Sequence, residues 1–198
     1  MFGWPQLQAI ALPVAIALIA TTPASALPGE STEKVLTWIQ AHPTLRPQGG
    51  ETTIIRKADT PAMRFTYEAS VLPPGRITVP ANRGEIRSEY FSVYDQINGV
   101  PPVVLEEYLR DIYGLDIYQD YQLAATIYAY PQPETIELSR RLDQPGLADQ
   151  WGELRSGKRF AYWLEVAYTP EGNPISGRLT IFLKEDLEKL LIELRDRV

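Results

Sequence analysis

Apolar and polar positions alternate along this chain with two periods, two residues and about three and a half. The shorter period marks a half-buried strand. It runs through residues 63–71, where Met63, Phe65, Tyr67, Ala69 and Val71 interleave with Arg64, Thr66, Glu68 and Ser70. It returns at 160–168, on Phe160, Tyr162, Leu164, Val166 and Tyr168, and at 175–183, on Ile175, Gly177, Leu179, Ile181 and Leu183. Between these two lies Thr169-Pro170-Glu171-Gly172-Asn173-Pro174, a turn sequence that predicts a β-hairpin. Residues 85–94 read as a further strand and 52–56 and 135–138 as short ones. Residues 77–79 read as an edge strand, because Pro80 would remove a ladder donor.

The longer period predicts three helices. Residues 32–41 carry Val35, Leu36 and Ile39 on one stripe, with Ser31 as N-cap and Glu33 in the first turn, where the helix dipole favours an acid. Residues 102–113 open on Pro102 and are followed by Gly114, with Val104, Leu105, Tyr108, Leu109 and Ile112 on one face. Residues 187–198 place Leu187, Leu190, Leu191, Leu194 and Val198 together. The stretch 115–130 fits both periods, and is read as a helical turn over 118–122 followed by a strand. Residues 140–157 read as a polar connection, in which 147–154 could form a short helix that buries Trp151.

Strands in hairpin-like groups with helices after them predict an α+β domain: an antiparallel sheet of about five to seven strands with two or three helices on one face. Residues 27–50 read as an N-terminal helix and linker, and 51–198 as one domain. The order strand, turn, strand, amphipathic helix occurs twice (63–113 and 160–197), which suggests a structural repeat carried by pattern alone.

The first 26 residues stand apart. They contain no charged side chain; an apolar run over 7–20 leads to Ala24-Ser25-Ala26, an A-x-A triplet. That is the layout of a secretory signal peptide cleaved after Ala26, although the basic n-region is missing. The run is shorter than the roughly 20 residues a spanning helix needs, and Pro13 interrupts it. An uncleaved anchor is the competing reading. Export implies the periplasm or the exterior, or the thylakoid lumen if the source is photosynthetic, with no stable membrane insertion after cleavage.

Composition narrows the chemistry. The chain has no cysteine, which removes disulfides, thiol nucleophiles, thiolate metal sites and lipid attachment at a cleavage-site thiol. Its net charge of −6 disfavours nucleic acid, whose binding rests on phosphate neutralisation. The single histidine, His42, reads as a C-terminal residue that favours the helix dipole, with no GxSxG elbow to serve. GxxxxGK[ST] and GxGxxG are absent. No cofactor, metal ligand or catalytic residue is assigned. Glu106 and Glu107 diverge by about 100° on a helix, and Asp111, Asp116 and Asp120 read as solvated charges.

One compositional excess remains. Of 11 tyrosines, five fall between Tyr113 and Tyr130. Tyrosine combines apolar area with a hydrogen-bonding tip and suits binding surfaces. Tyr118, Tyr121, Tyr128 and Tyr130, with Trp151, Arg140, Arg141 and Arg155 of the polar connection, form the candidate interaction surface. The expected function is an exported, non-enzymatic binding module for a protein or small molecule. The rivals are a carboxylate-based hydrolase of an envelope polymer and a lipid or pigment carrier with an apolar cavity.

Overall fold

The period-two segments pair into one antiparallel sheet. The computed structural model describes residues 27–58, 60–78, 82–144, 146 and 148–196; the expected leader lies outside them. The strands are β1 (Ile54–Lys57), β2 (Met63–Ser70), β3 (Ser88–Asp95), β4 (Ala125–Tyr130), β5 (Gln150–Ser156), β6 (Ala161–Tyr168) and β7 (Pro174–Phe182). Their spatial order is β1-β2-β3-β7-β6-β5-β4. Two meanders, β1 to β3 and β4 to β7, are thus joined by the β3–β7 pair, which aligns Ser88 to Tyr94 with Phe182 to Ser176. The helices are α1 (Thr32–Ala41), α2 (Pro102–Tyr113), α3 (Leu115–Gln122), α4 (Pro133–Leu142) and α5 (Leu187–Arg195), the last preceded by a 3-10 turn over Lys184–Asp186. The α+β class and the antiparallel sheet agree with the sequence reading.

Three helices cover one face. Val35 and Ile39 of α1, Leu105 and Leu109 of α2 and Ile117 and Tyr121 of α3 pack on Tyr67, Phe91, Leu164, Val166, Leu179 and Ile181 of the sheet. Gly177 makes this approach possible: a Cβ there would stand 2.6 Å from Leu105 Cδ1. Leu27 and Leu45, which flank α1, are buried in the same core.

α5 docks on the opposite face, where Leu190 and Leu194 meet Leu154, Ala161, Trp163 and Phe182. This end of β6 and β7 is apolar on both sides, with Tyr162 and Ile181 facing α2 and α3 and Trp163 and Phe182 facing away. Leaving the second set in water would forgo about 1.5–3 kcal/mol per large side chain. A bidentate fork from Arg87 to Asp186, at 2.9 to 3.1 Å, ties the start of α5 to the β3 side of the sheet. The strand-turn-strand-helix order therefore recurs, but its two helices lie on opposite faces, so no rotation within the sheet relates the copies.

Several local expectations need correction. Residues 135–138 are not a strand; they lie inside α4, which opens on Pro133 and Glu134 and closes with Arg140, Arg141 and a left-handed Asp143, a dipole-matched and capped helix. Residues 140–157 are not a loop, and Trp151 sits on no helix: 150–156 form β5. The apolar alternation is hidden there because charged residues occupy helix-facing positions, Glu153 and Arg155, which neutralise each other as an ion pair. Ile77 and Thr78 are outside any strand, and Val79 lies outside the described residues. The strand expected over 85–94 begins at Ser88; Glu85 makes only a single bridge to Ser31.

His42 also acts differently than expected. Its Nδ1 accepts from the Thr44 and Leu45 amides at 3.2 and 3.3 Å, so Nε2 carries the proton and donates to the Ile112 carbonyl at 3.0 Å. A ring used this way is neutral, and burial lowers its pKa. It pins the end of α1 to the end of α2 rather than compensating a dipole.

The helix-covered core holds one carboxyl that water does not reach. Glu89 on β3 is fully buried. Tyr113 donates to its Oε2 at 2.8 Å, while Oε1 and the adjacent Tyr67 hydroxyl lack partners of hydrogen-bond geometry. Burial pushes the carboxyl up from 4.5 to about 7, with the Tyr113 and Tyr67 hydroxyls drawing it back. Between those two values the folded chain holds a proton that the unfolded chain releases. Stability is therefore highest below the unfolded value and is lost as pH rises through the folded one, by about 3 kcal/mol across the window. Urea unfolding of wild type at pH 5 and pH 8 should show this loss, and the Glu89→Gln variant should remove most of the difference.

Candidate functional site

The face that carries α5 is only partly covered. Strand register arranges its side chains in rows that cross the sheet. The row of Glu68, Tyr90, Thr180, Trp163, Leu154 and Tyr128 turns apolar toward β4 and runs under α5. The next row reads Thr66, Ser92, Arg178, Glu165, Gly152 and Tyr130, and the one after it Arg64, Tyr94, Ser176, Ala167 and Gln150. These last two are polar, and they floor an open depression of about 350 Å³ lined by Arg64, Ser92, Tyr94, Gln150, Glu165, Ser176 and Arg178. The strands' period of two supplies the row; the β3–β7 pair brings the two meanders' rows into one floor.

Glu165 is the centre of this floor and is only 8% exposed. Its Oε1 accepts from the Tyr130 hydroxyl at 2.6 Å and from Gln150 Nε2 at 3.0 Å. The Tyr130 oxygen in turn accepts from Trp163 Nε1 at 3.0 Å. Gly152 makes the arrangement fit: a Cβ there would stand 2.3 Å from Tyr130 Cζ, so the ring crosses the glycine to reach the next strand but one. Arg178 lies directly across β6–β7 from Glu165, its guanidinium 4.7 Å from the centre of the Tyr90 ring. Tyr90 donates to Glu68 at 2.6 Å, and burial together with that carboxylate pushes its hydroxyl up to about 12. The floor thus offers a buried acceptor and an exposed guanidinium side by side. Ser92 and Ser176 have no histidine beside them, since His42 is bonded to Ile112 at the end of α2.

The sequence-selected residues fall in three places. Tyr121 is fully buried in the helix-side core, edge-on to Tyr162 at 5.4 Å, with Arg155 stacked 4.4 Å from its ring centre. Tyr118 is half-buried against the same core. Tyr128 and Tyr130 lie 6.1 Å apart on the other face, beside α5. Trp151 and Arg140 line a second depression of about 470 Å³ with Tyr168, at one end of the sheet, while Arg141 is exposed on α4. Of the eight, Tyr130 enters the Glu165 network. Arg64, Glu165 and Arg178 are polar members of strands the sequence predicts, whereas Gln150 falls in the segment read as a connection, and nothing in the sequence says that the four share a floor.

The acids considered for hydrolysis do not converge. Asp120 accepts from the amides of Lys158, Arg159 and Phe160 and from the Tyr162 hydroxyl, so it holds the β5–β6 turn. Glu106 bonds Tyr121 and Gln122, and Glu107, Asp111 and Asp116 are exposed. Among the described residues no three histidine, aspartate or glutamate side chains gather as a metal site, and no helix is long and apolar enough to cross a membrane. Comparisons with protein-family models, curated proteins and solved structures returned no match.

The network makes a direct prediction. Gly152→Ala should displace the Tyr130 ring and cost about 1–3 kcal/mol. Tyr130→Phe should cost about as much, by taking a donor from Glu165 and an acceptor from Trp163. Both should move the Trp163 indole N–H resonance in an NMR spectrum, where Tyr128→Phe leaves it in place.

Proposed function

We propose that this chain is an exported, non-enzymatic binding module, and that it holds a small molecule or peptide end bearing an anionic group on the open sheet face. The observation that carries this reading is Glu165. Burying a carboxylate costs several kcal/mol unless it is well bonded, and a sheet face that only met water would need no such floor. Here the buried acceptor is held by a chain of donors beside an exposed arginine, in a depression of ligand size. Arg178 would pair with the anion, Glu165 would accept from a neighbouring hydroxyl or amine, and Ser92, Ser176 and Tyr94 would add polar contacts. The candidate surface thereby shifts from the tyrosine-rich segment as a whole to Tyr130 and the floor it supports.

Export is supported by the uncharged, apolar leader and its A-x-A triplet. Cleavage after Ala26 leaves Leu27, itself a core residue, at the start of the mature chain. Mass spectrometry of the protein recovered from its own cells should find an N-terminal peptide that begins at Leu27; recovery of intact 1–26 on the folded protein would contradict the reading.

Binding is tested by thermal-shift screening against small carboxylates, phosphorylated compounds and amino acids. A compound should raise the melting temperature of wild type by several degrees and leave Arg178→Ala unchanged. If no compound shifts wild type, and native mass spectrometry of the protein from its own compartment shows no retained molecule, the open face has some other use.

A further inference from the structure

The two edges of the sheet are finished differently. β1 is four residues long, carries Arg56 and Lys57, and has the Arg56 amide taken by Glu51 Oε1 at 2.9 Å. Short length, charge and a side-chain cap are the devices that keep an edge from pairing with another chain. β4 lacks the first two. It reads Ala-Thr-Ile-Tyr-Ala-Tyr over six residues, without charge or proline, and rich in strand formers. Among the described residues its protection is a bulge between Thr126 and Tyr128 and the Gln132 amide on the Ala129 carbonyl. Apolar side chains stand in water beside it, Ile127 at 40% and Leu123 at 88% exposure.

We infer that β4 is a homodimer interface, in which β4 of a second copy pairs antiparallel to it and continues the sheet across a two-fold axis. The choice of a second copy rests on charge. The chain carries −6 overall, so two copies approach each other against a net repulsion. A strand with no charge pairs with itself free of that cost. Its ends, moreover, are unlike. Lys158 and Arg159 border a depression with Ala125 at one end, where Asp120 is already committed to backbone amides and Asp116 offsets part of the charge. Glu134 follows the other end at the start of α4. Antiparallel pairing brings unlike ends together twice. Two copies of Ile127 and Leu123 are brought to the same seam.

The polar floor around Glu165 opens on the sheet face, so the dimer leaves it free and the inference stands independently of the proposed function. Sedimentation velocity of the mature protein at tens to hundreds of micromolar should show twice the protomer mass. Ile127→Lys should give the monomer with an unchanged circular-dichroism spectrum, and its melting temperature should lose the dependence on protein concentration that wild type shows. Because the chain has no cysteine, Ile127→Cys should cross-link to dimer with a short bis-maleimide, whereas Arg56→Cys on β1 should not. A wild-type protein that stays monomeric through that range overturns the inference. So does a dimer that survives Ile127→Lys, since it would be built on another surface.

Discussion

The pairing of β3 with β7 is the constraint on which the rest depends. It joins residues 88–94 to residues 176–182, far apart in the chain, and fuses two meanders into one sheet. Its register is fixed from both sides. A slip of one residue would send Phe91, Leu179 and Ile181 out of the helix-covered core and Ser92 and Arg178 into it. The same register sets Ser92 opposite Arg178, and so joins the β1–β3 side of the floor to the row that runs through Glu165 and Gly152 to Tyr130. Core and candidate site are two faces of one alignment.

Charge is handled unusually close to the core, and in two ways. On the helix side, Glu153 is matched by Arg155, while Glu89 has only tyrosine hydroxyls and gives up its charge near neutral pH. On the open side, Glu165 accepts from Tyr130 and Gln150 and faces a guanidinium across the strand. A neutralised acid inside a core makes stability depend on pH. An acid bonded at the base of an open depression stays within reach of the solvent side of the sheet. This difference of placement directs the functional reading to the open face.

Much of the fold was legible because hydrophobic periodicity is a local property. The hairpin over 160–183, the strand at 63–70, and helices α1, α2 and α5 follow from spacing, capping and turn residues. The misread elements are those where local signals and tertiary roles diverge. β5 looked polar because Glu153 and Arg155 neutralise each other on its helix-facing side. α4 looked like a strand because Thr135, Ile136, Glu137 and Leu138 alternate over four residues, although Pro133 and the charges at its ends favour a helix. Tyr121 was selected as a surface tyrosine and is a core residue, because α3 turns it onto Tyr162.

The sequence by itself determined the class of the fold, the absence of thiol chemistry, the acidic character and the positions of the polar strand faces. Each of these is a composition or a short-range pattern, fixed before the chain folds. Only the tertiary structure decided that α5 crosses to the far side, that two polar rows stay open, and that Glu165, Tyr130, Gln150 and Arg178 meet on one floor. Those outcomes depend on strand order and register, which are set by which apolar faces can be buried together and which no local pattern encodes.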